Sequence, residues 1–230
     1  LLGGACAAVF GFVIGLPALR LKGDYLAIVT LAFGEIVRNV VKNLPMFGGA
    51  MGLNTTKYPT SSLYIVAFVV VLAVLFLIQN LIRSKHGRAI TAIRDNEIAA
   101  RAMGINVTYY KVLTFAISAF FAGIGGGVYA HYMTAMIPTN FNFNYSAELL
   151  SEVIIGGTGS LTGSIIGAAF LSSLPELMRD FSTYRMLAYS VVLVLVMLFR
   201  PGGIFGRWEF SLTRLLDGIR HPKAKAAKGA

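Results

Sequence analysis

SSLYIVAFVVVLAVLFLIQNLI, Ser61 to Ile82, runs directly into RSKHGRAITAIRDNEIAARAMGINVTYYK, Arg83 to Lys111. The first stretch is an uncharged run of about 22 residues. As a helix it covers about 33 Å, enough for the hydrocarbon core of a bilayer. The second stretch carries six of the chain's twenty basic residues and leads into another apolar run, Val112 to Tyr132. A polar, helix-prone loop of about 29 residues between two membrane helices invites proteolysis unless something binds it, so a partner is expected there.

Composition agrees with this reading. Hydrophobic residues make up 56% of the chain and charged residues 13%, with a mean hydropathy of +0.71. A soluble domain carries about 25% charged residues, so the chain belongs to the membrane class. The formal charge of +10 does not point to nucleic acid, because the basic residues lie between apolar segments and in a terminal tail. That is the pattern of the positive-inside rule, and no nucleic-acid module is present. The single cysteine, Cys6, excludes an internal disulfide and reads as a small packing residue.

Leu1 to Leu19 is the first membrane segment, studded with Gly3, Gly4, Ala5, Ala7, Ala8, Gly11 and Gly15, which let helices approach closely. Pro17 and the polar group Arg20, Lys22, Gly23 and Asp24 end it. The chain opens inside this apolar run at Leu1, with no basic segment before it. It therefore reads as a fragment lacking N-terminal membrane segments rather than as a signal peptide. Tyr25 to Leu44 is the second segment. Its Glu35, Arg38, Asn39 and Lys42 fall at i, i+3, i+4 and i+7, one face of a helix. Ionisable groups at membrane depth are costly, so that face is expected to look at protein or water.

After a loop punctuated by Gly and Pro, the Ser61 run is the third segment and Val112 to Tyr132 the fourth. Ala122, Gly123, Gly125, Gly126 and Gly127 in the fourth allow tight contact. Ala147 to Ile155 is too short to cross alone, but would cross as a broken helix if extended back through an aromatic connector. It ends in GGTGSLTG, Gly156 to Gly163. Ser164 to Met178 and Met186 to Phe199 complete the series. The predicted fold is an all-α polytopic transmembrane bundle of about seven membrane segments with one short cytoplasmic helix. Residues 1–206 form the membrane domain, including loop 83–111, and residues 207–230 a basic cytoplasmic tail.

With loop 83–111 inside the cell and the helices alternating, fifteen basic residues fall on the inside and four outside. The bias favours that orientation and places the C-terminus in the cytoplasm, provided the Ala147 segment crosses.

Within the loop, Glu97 to Met103 (EIAARAM) has helix propensity, with Asp95 or Asn96 as its cap and Gly104 as the left-handed residue that ends it. Thr108 is the expected cap of the following membrane helix. Ile93, Ile98, Ala99, Ala102 and Met103 give an apolar side, and Arg94, Glu97 and Arg101 a charged one. Two turns of helix are unstable alone in water and need a surface. That surface is either a partner's groove, which Ala99, Ala100 and Ala102 would let approach closely, or the chain's own membrane domain.

NEIAARAMGINVTYYKVLTFAISA, Asn96 to Ala119, resembles the cytoplasmic coupling loop of ABC importer permeases, specifically the branched-chain amino acid permeases of the LivM type. The wider signature of Glu-Ala-Ala, three residues and Gly is matched by Ala99, Ala100 and Gly104. Glu97 stands one residue further upstream, and the downstream Leu-Pro is absent. LPALRLKGDYLAIVTLAFGEIVRN (Leu16 to Asn39), IIGGTGSLTGSIIGAA (Ile154 to Ala169) and FRPGGIFG (Phe199 to Gly206) carry the same resemblance. It implies one half of the channel of an ATP-driven importer for leucine, isoleucine, valine or similar amino acids in the bacterial inner membrane. The implied partners are a homologous LivH-like permease, two cytoplasmic ATPases and a periplasmic binding protein. The ATPases would bind the ATP, and this chain would hold no cofactor, no metal and no catalytic residue of its own. Arg94, Asp95, Asn96, Glu97, Ala99, Ala100 and Gly104 would form the ATPase-coupling element.

Other features stay open between two readings. Glu35, Arg38 and Asn39 either line the translocation route or neutralise one another along the helix. Gly156, Gly157, Gly159 and Gly163 form either a hinge or gate at a helix break or a site of close packing. They are not a phosphate loop, which needs Lys beside Ser or Thr after its last Gly, whereas Gly163 is followed directly by Ser164. An ion-coupled secondary transporter or channel is the alternative function. It would share the broken helices and the intramembrane Glu–Arg pair, but has no use for a docking helix in the loop. An intramembrane enzyme is more distant still, since His86, His131 and His221 are scattered and no paired-carboxylate or HExxH site exists.

Overall fold

Small residues bring the first helix against the helix predicted as the fourth membrane segment almost backbone to backbone. In the computed structural model, which describes residues 1–21, 23–55, 59–157, 159–177, 190–191, 194–196, 198–199, 202–203 and 206, α1 is Leu2–Ala18 and α2 is Asp24–Asn43. α3 is Thr60–Arg83, α4 Lys85–Asp95, α5 Glu97–Ala102 and α6 Val107–Tyr132. α7 is Phe143–Gly156 and α8 Leu161–Leu177. Two compact units result, Leu1–Phe143 and Asn144–Ala230.

In the first unit, Gly4, Gly11 and Gly15 of α1 are buried and fall at i, i+7 and i+11, a single stripe. Ala116, Ala119, Phe120 and Gly123 of α6 face that stripe. A Cβ on Gly11 would lie 2.6 Å from Ala119 Cβ, and one on Gly123 would lie 2.6 Å from Ala7 Cβ and 2.7 Å from the Gly3 carbonyl. The neighbouring Gly125, Gly126 and Gly127 face open space among the described residues. Of the glycine run predicted to pack, only Gly123 does so here. Cys6, predicted to pack, is exposed on α1.

Among the described residues, two helices, Ser61–Arg83 and Val107–Tyr132, are long and apolar enough to cross a membrane. No residue of the α3 window is buried, and Phe68 and Phe76 are 65% and 67% exposed. A helix apolar on every side and uncovered needs lipid or other helices around it.

At the opposite end of these helices from the basic loop, short 3-10 turns at Pro45–Phe47, Gly49–Met51 and Pro138–Asn140 flank a two-stranded antiparallel ribbon. β1 (Leu53–Asn54) pairs with β2 (Ala135–Met136), Leu53 opposite Met136. The ribbon ties the α2–α3 connection to the segment after α6.

Helix starts differ from those predicted because side-chain caps set them. α6 begins at Val107 rather than Val112, and Asn106 rather than Thr108 caps it, its Oδ1 accepting from the Tyr109 N–H at 3.1 Å. α8 begins at Leu161 rather than Ser164 because Ser160 Oγ accepts from the Gly163 N–H at 2.9 Å. α7 reaches back to Phe143, into the aromatic connector. Residues 190–191, 194–196 and 198–199 are helical; the rest of the predicted Met186 to Phe199 segment and the 207–230 tail lie outside the described residues.

Candidate functional site

The basic loop folds into two helices with a fixed corner at each end. Ser84 Oγ accepts from the Gly87 N–H at 3.1 Å and donates to the Leu81 carbonyl at 2.6 Å, ending α3 and starting α4 in one motif. A Cβ on Gly87 would overlap the Leu81 and Ile82 carbonyls, so only glycine permits the bend. Asn96 then caps α5, its Oδ1 accepting from the Ile98 and Ala99 N–H groups, each at 3.0 Å. Asp95, the other cap candidate, pairs instead with Arg94 at 3.2 Å.

The far end of α5 is a Schellman turn. Gly104 takes φ +81, its N–H donates to the Arg101 carbonyl, and the Ile105 N–H donates to the Ala100 carbonyl at 3.1 Å. Two residues later Asn106 caps α6, leaving almost no unstructured chain between α5 and the membrane-scale helix.

Side chains on α5 divide between two directions. Ala100 is 4% exposed and faces the protein, so the close approach of a partner that the sequence suggested for it is closed off. Ile98 and Met103 are 83% and 82% exposed. Uncovered apolar side chains of that size, Ile98 on the six-residue helix and Met103 at its C-cap, are poorly placed in water and well placed in a groove. Ala99 and Ala102 are exposed beside them. A hollow of about 510 Å³ lined by Asp95, Asn96, Glu97, Ile98 and Arg101 opens at the start of the helix.

Glu97 does not simply present a charge to solvent. Its Oε1 accepts from Arg101 Nη2 at 3.1 Å, and its Oε2 from Lys111 Nζ on α6 at 2.6 Å. The Arg101 contact is the i, i+4 spacing legible in sequence. The Lys111 contact spans 14 residues and no local periodicity announces it. His86 of α4 and Tyr110 of α6 also meet, ring centroids 6.0 Å apart.

The polar face of α2 collapses onto itself. Arg38 Nη2 lies 2.5 Å from Glu35 Oε2, with both side chains partly exposed. Asn39 is exposed and its carbonyl accepts from Asn43 Nδ2 at 2.8 Å. The structure thus brings Glu35 and Arg38 together as an ion pair.

In the second unit, the predicted glycine break is a tight corner. Gly157 has φ +121, and a Cβ there would lie 2.8 Å from the Gly206 carbonyl. A Cβ on Gly167 would sit 2.5 Å from Gly156 Cα and 2.9 Å from the Glu152 carbonyl, and one on Gly156 would overlap the Gly163 carbonyl. Gly159 lies in the turn between the two helices. One residue escaped sequence reasoning. Glu152, 8% exposed, accepts a hydrogen bond from Ser172 Oγ of α8 at 2.9 Å, within a stretch that reads simply as apolar. Its i, i+4 relation to Glu148 was the available signal.

Among the described residues the chain is mostly helical, with two helices long and apolar enough to cross a bilayer and a capped loop helix between them, the pattern of a helical membrane protein. More particularly, the chain belongs to the family described as branched-chain amino acid transport system / permease component, whose model matches residues 1–200. It is 39% identical over 236 residues to the high-affinity branched-chain amino acid transport system permease protein LivM of Salmonella typhimurium, a match covering 88% of this chain and 56% of that protein. With LivM of Escherichia coli it is 38% identical over 234 residues, 87% of this chain and 55% of that one. With the permease protein LivH of Escherichia coli it is 30% identical over 149 residues, 64% and 47% of the two chains. The chain spans about half the length of these LivM relatives. No solved structure matches it.

Proposed function

We propose that the chain is the membrane-spanning permease subunit of an ATP-driven ABC importer for branched-chain amino acids, working in the bacterial inner membrane. The observation that carries the coupling part is α5. It is capped at both ends, anchored by Ala100, and bears Ile98 and Met103 uncovered. An element so built is matched to a protein groove, and in this family's transport system the groove belongs to a cytoplasmic ATPase. ATP is then bound and hydrolysed in the two partner ATPases, not here. The likeness to LivH as well as LivM supports pairing with a homologous second permease, and a periplasmic binding protein delivers the amino acid. In this reading Ile98, Met103 and Ala99 contact the ATPase. Arg94, Asp95 and Asn96 shape the start of the helix and Gly104 its end.

We read about seven crossings from the apolar runs and a cytoplasmic C-terminus from the basic-residue bias, which requires α7 to cross. At about 21 Å for its 14 residues α7 is short for a bilayer, so in this reading its crossing is completed by extension back through the aromatic connector as a broken helix. We assign the Glu35–Arg38 pair and Asn39 to the wall of the substrate route. A paired, partly exposed ion pair offers both signs of charge to a zwitterion without leaving a lone charge at membrane depth. Gly156, Gly157, Gly159 and Gly163 are assigned to the pivot between α7 and α8.

Affinity purification of the full-length chain, co-expressed with its candidate ATPases, tests the reading. Wild type is expected to retain the ATPases and Ile98→Asp to lose them while keeping its gel-filtration profile in detergent. A well-folded wild-type chain that recruits no ATPase sinks the proposal and returns attention to an ion-coupled carrier.

A further inference from the structure

The loop helix has two separable jobs, being held by a partner and passing the partner's movement to the membrane helices. The exposed Ile98 and Met103 serve the first. Nothing about them addresses the second, which needs contacts between α5 and α6 themselves. The Gly104 turn gives one such contact, and a side-chain attachment at the far end of α5 gives another, as a brace does at a hinge.

Lys111 supplies that attachment. It lies just inside α6, beyond the first turn, and its Nζ donates to Glu97 Oε2 at 2.6 Å, at the opposite end of α5 from the Gly104 turn. The two side chains are 32% and 31% exposed, so water screens the contact less than it does a surface pair. Arg101 meets the other oxygen of the same carboxylate at 3.1 Å. Further along, α6 carries Gly123 into the tight α1 contact, so whatever turns the base of α6 also bears on α1.

We infer that the Glu97–Lys111 bridge is the strut through which α5 moves α6. Glu97 and Lys111 are positioning residues of the transport cycle, not points of ATPase contact. This rests on the reading of α5 as the ATPase-docking helix. Coupling between sites is a property of a pair, so the decisive evidence is non-additivity.

The experiment uses the complete transporter, with its second permease, ATPases and binding protein, reconstituted in proteoliposomes. Leucine uptake and ATP hydrolysis are measured on the same samples. Lys111→Met and Glu97→Gln are each expected to lower uptake per ATP hydrolysed by about fivefold, with the double variant no worse than either single one. Lys111→Arg, which keeps the charge and the donor, is expected to restore the ratio. ATPase retention by Lys111→Met should match wild type, unlike Ile98→Asp. An unchanged ratio in the single variants, multiplicative loss in the double variant, or loss of ATPases from Lys111→Met would each overturn the strut. Failure of wild type itself to hold ATPases would bring down the docking reading and the strut with it, and shows at the purification step before any ratio is taken.

Discussion

At Gly123 an added Cβ would lie 2.6 Å from Ala7 Cβ, 2.7 Å from the Gly3 carbonyl and 2.9 Å from Gly4 Cα. Two of those three neighbours are backbone, which cannot rotate away. Gly126, one turn on, meets nothing within 4 Å. Identical substitutions should therefore have opposite signs. Gly123→Ala is expected to cost about 1–3 kcal/mol through overpacking and displacement of α1. Gly126→Ala should be neutral or gain up to about 1 kcal/mol from helix propensity. Thermal denaturation of the two purified variants in the same detergent checks this, and equal midpoints would contradict the α1–α6 contact. Both glycines sit in one run, GIGGG, and nothing in that run separates the packed one from the open ones. The difference depends on which direction α1 approaches from, a property of the pair of helices.

Among the elements, α5 shows how little a helix of six residues owes to its own length. The sequence narrows its cap to Asp95 or Asn96 and names its terminator because both are local: Asn96 reaches N–H groups two and three residues on, and Gly104 supplies the left-handed turn. The terminator carries a prediction. Gly104→Ala puts a Cβ at φ +81, which costs about 1–2 kcal/mol, whereas Asn tolerates that region. ATPase retention is expected to fall for Gly104→Ala and to stay near wild type for Gly104→Asn. A pair of variants that behave alike would remove the Schellman turn from the account. What the element's sequence does not reveal is which alanine faces inward. Ala99, Ala100 and Ala102 are chemically identical, and only the position of α4 and α6 selects Ala100 for burial. The same limit applies to α4, where a basic stretch turns out to be a regular helix of 11 residues set at an angle to α3 by Gly87.

For the whole molecule the basic-residue bias makes a claim about sidedness that geometry alone does not. Cysteine labelling of the full-length chain, in a Cys6→Ser background, tests it. Arg88→Cys on α4 is expected to react with an impermeant reagent only from the cytoplasmic side. Asn54→Cys on the β1 ribbon should react only from the other side, and the reverse pattern would invert the topology. The membrane class, the positions of the long apolar helices, the caps of α5 and the family were all legible in the chain itself, because each depends on residues close together in sequence. Hydrophobic run length, capping and loop charge are set locally, and the solvent that reads them is uniform. The tertiary structure decided which glycines carry the α1–α6 contact, that Glu152 meets Ser172, that Glu35 and Arg38 close into an ion pair, and that Glu97 reaches Lys111. Of these only the Glu35–Arg38 pair lies within one helical turn. The others join groups on different elements or faces, and such contacts exist only once the helices have chosen their neighbours.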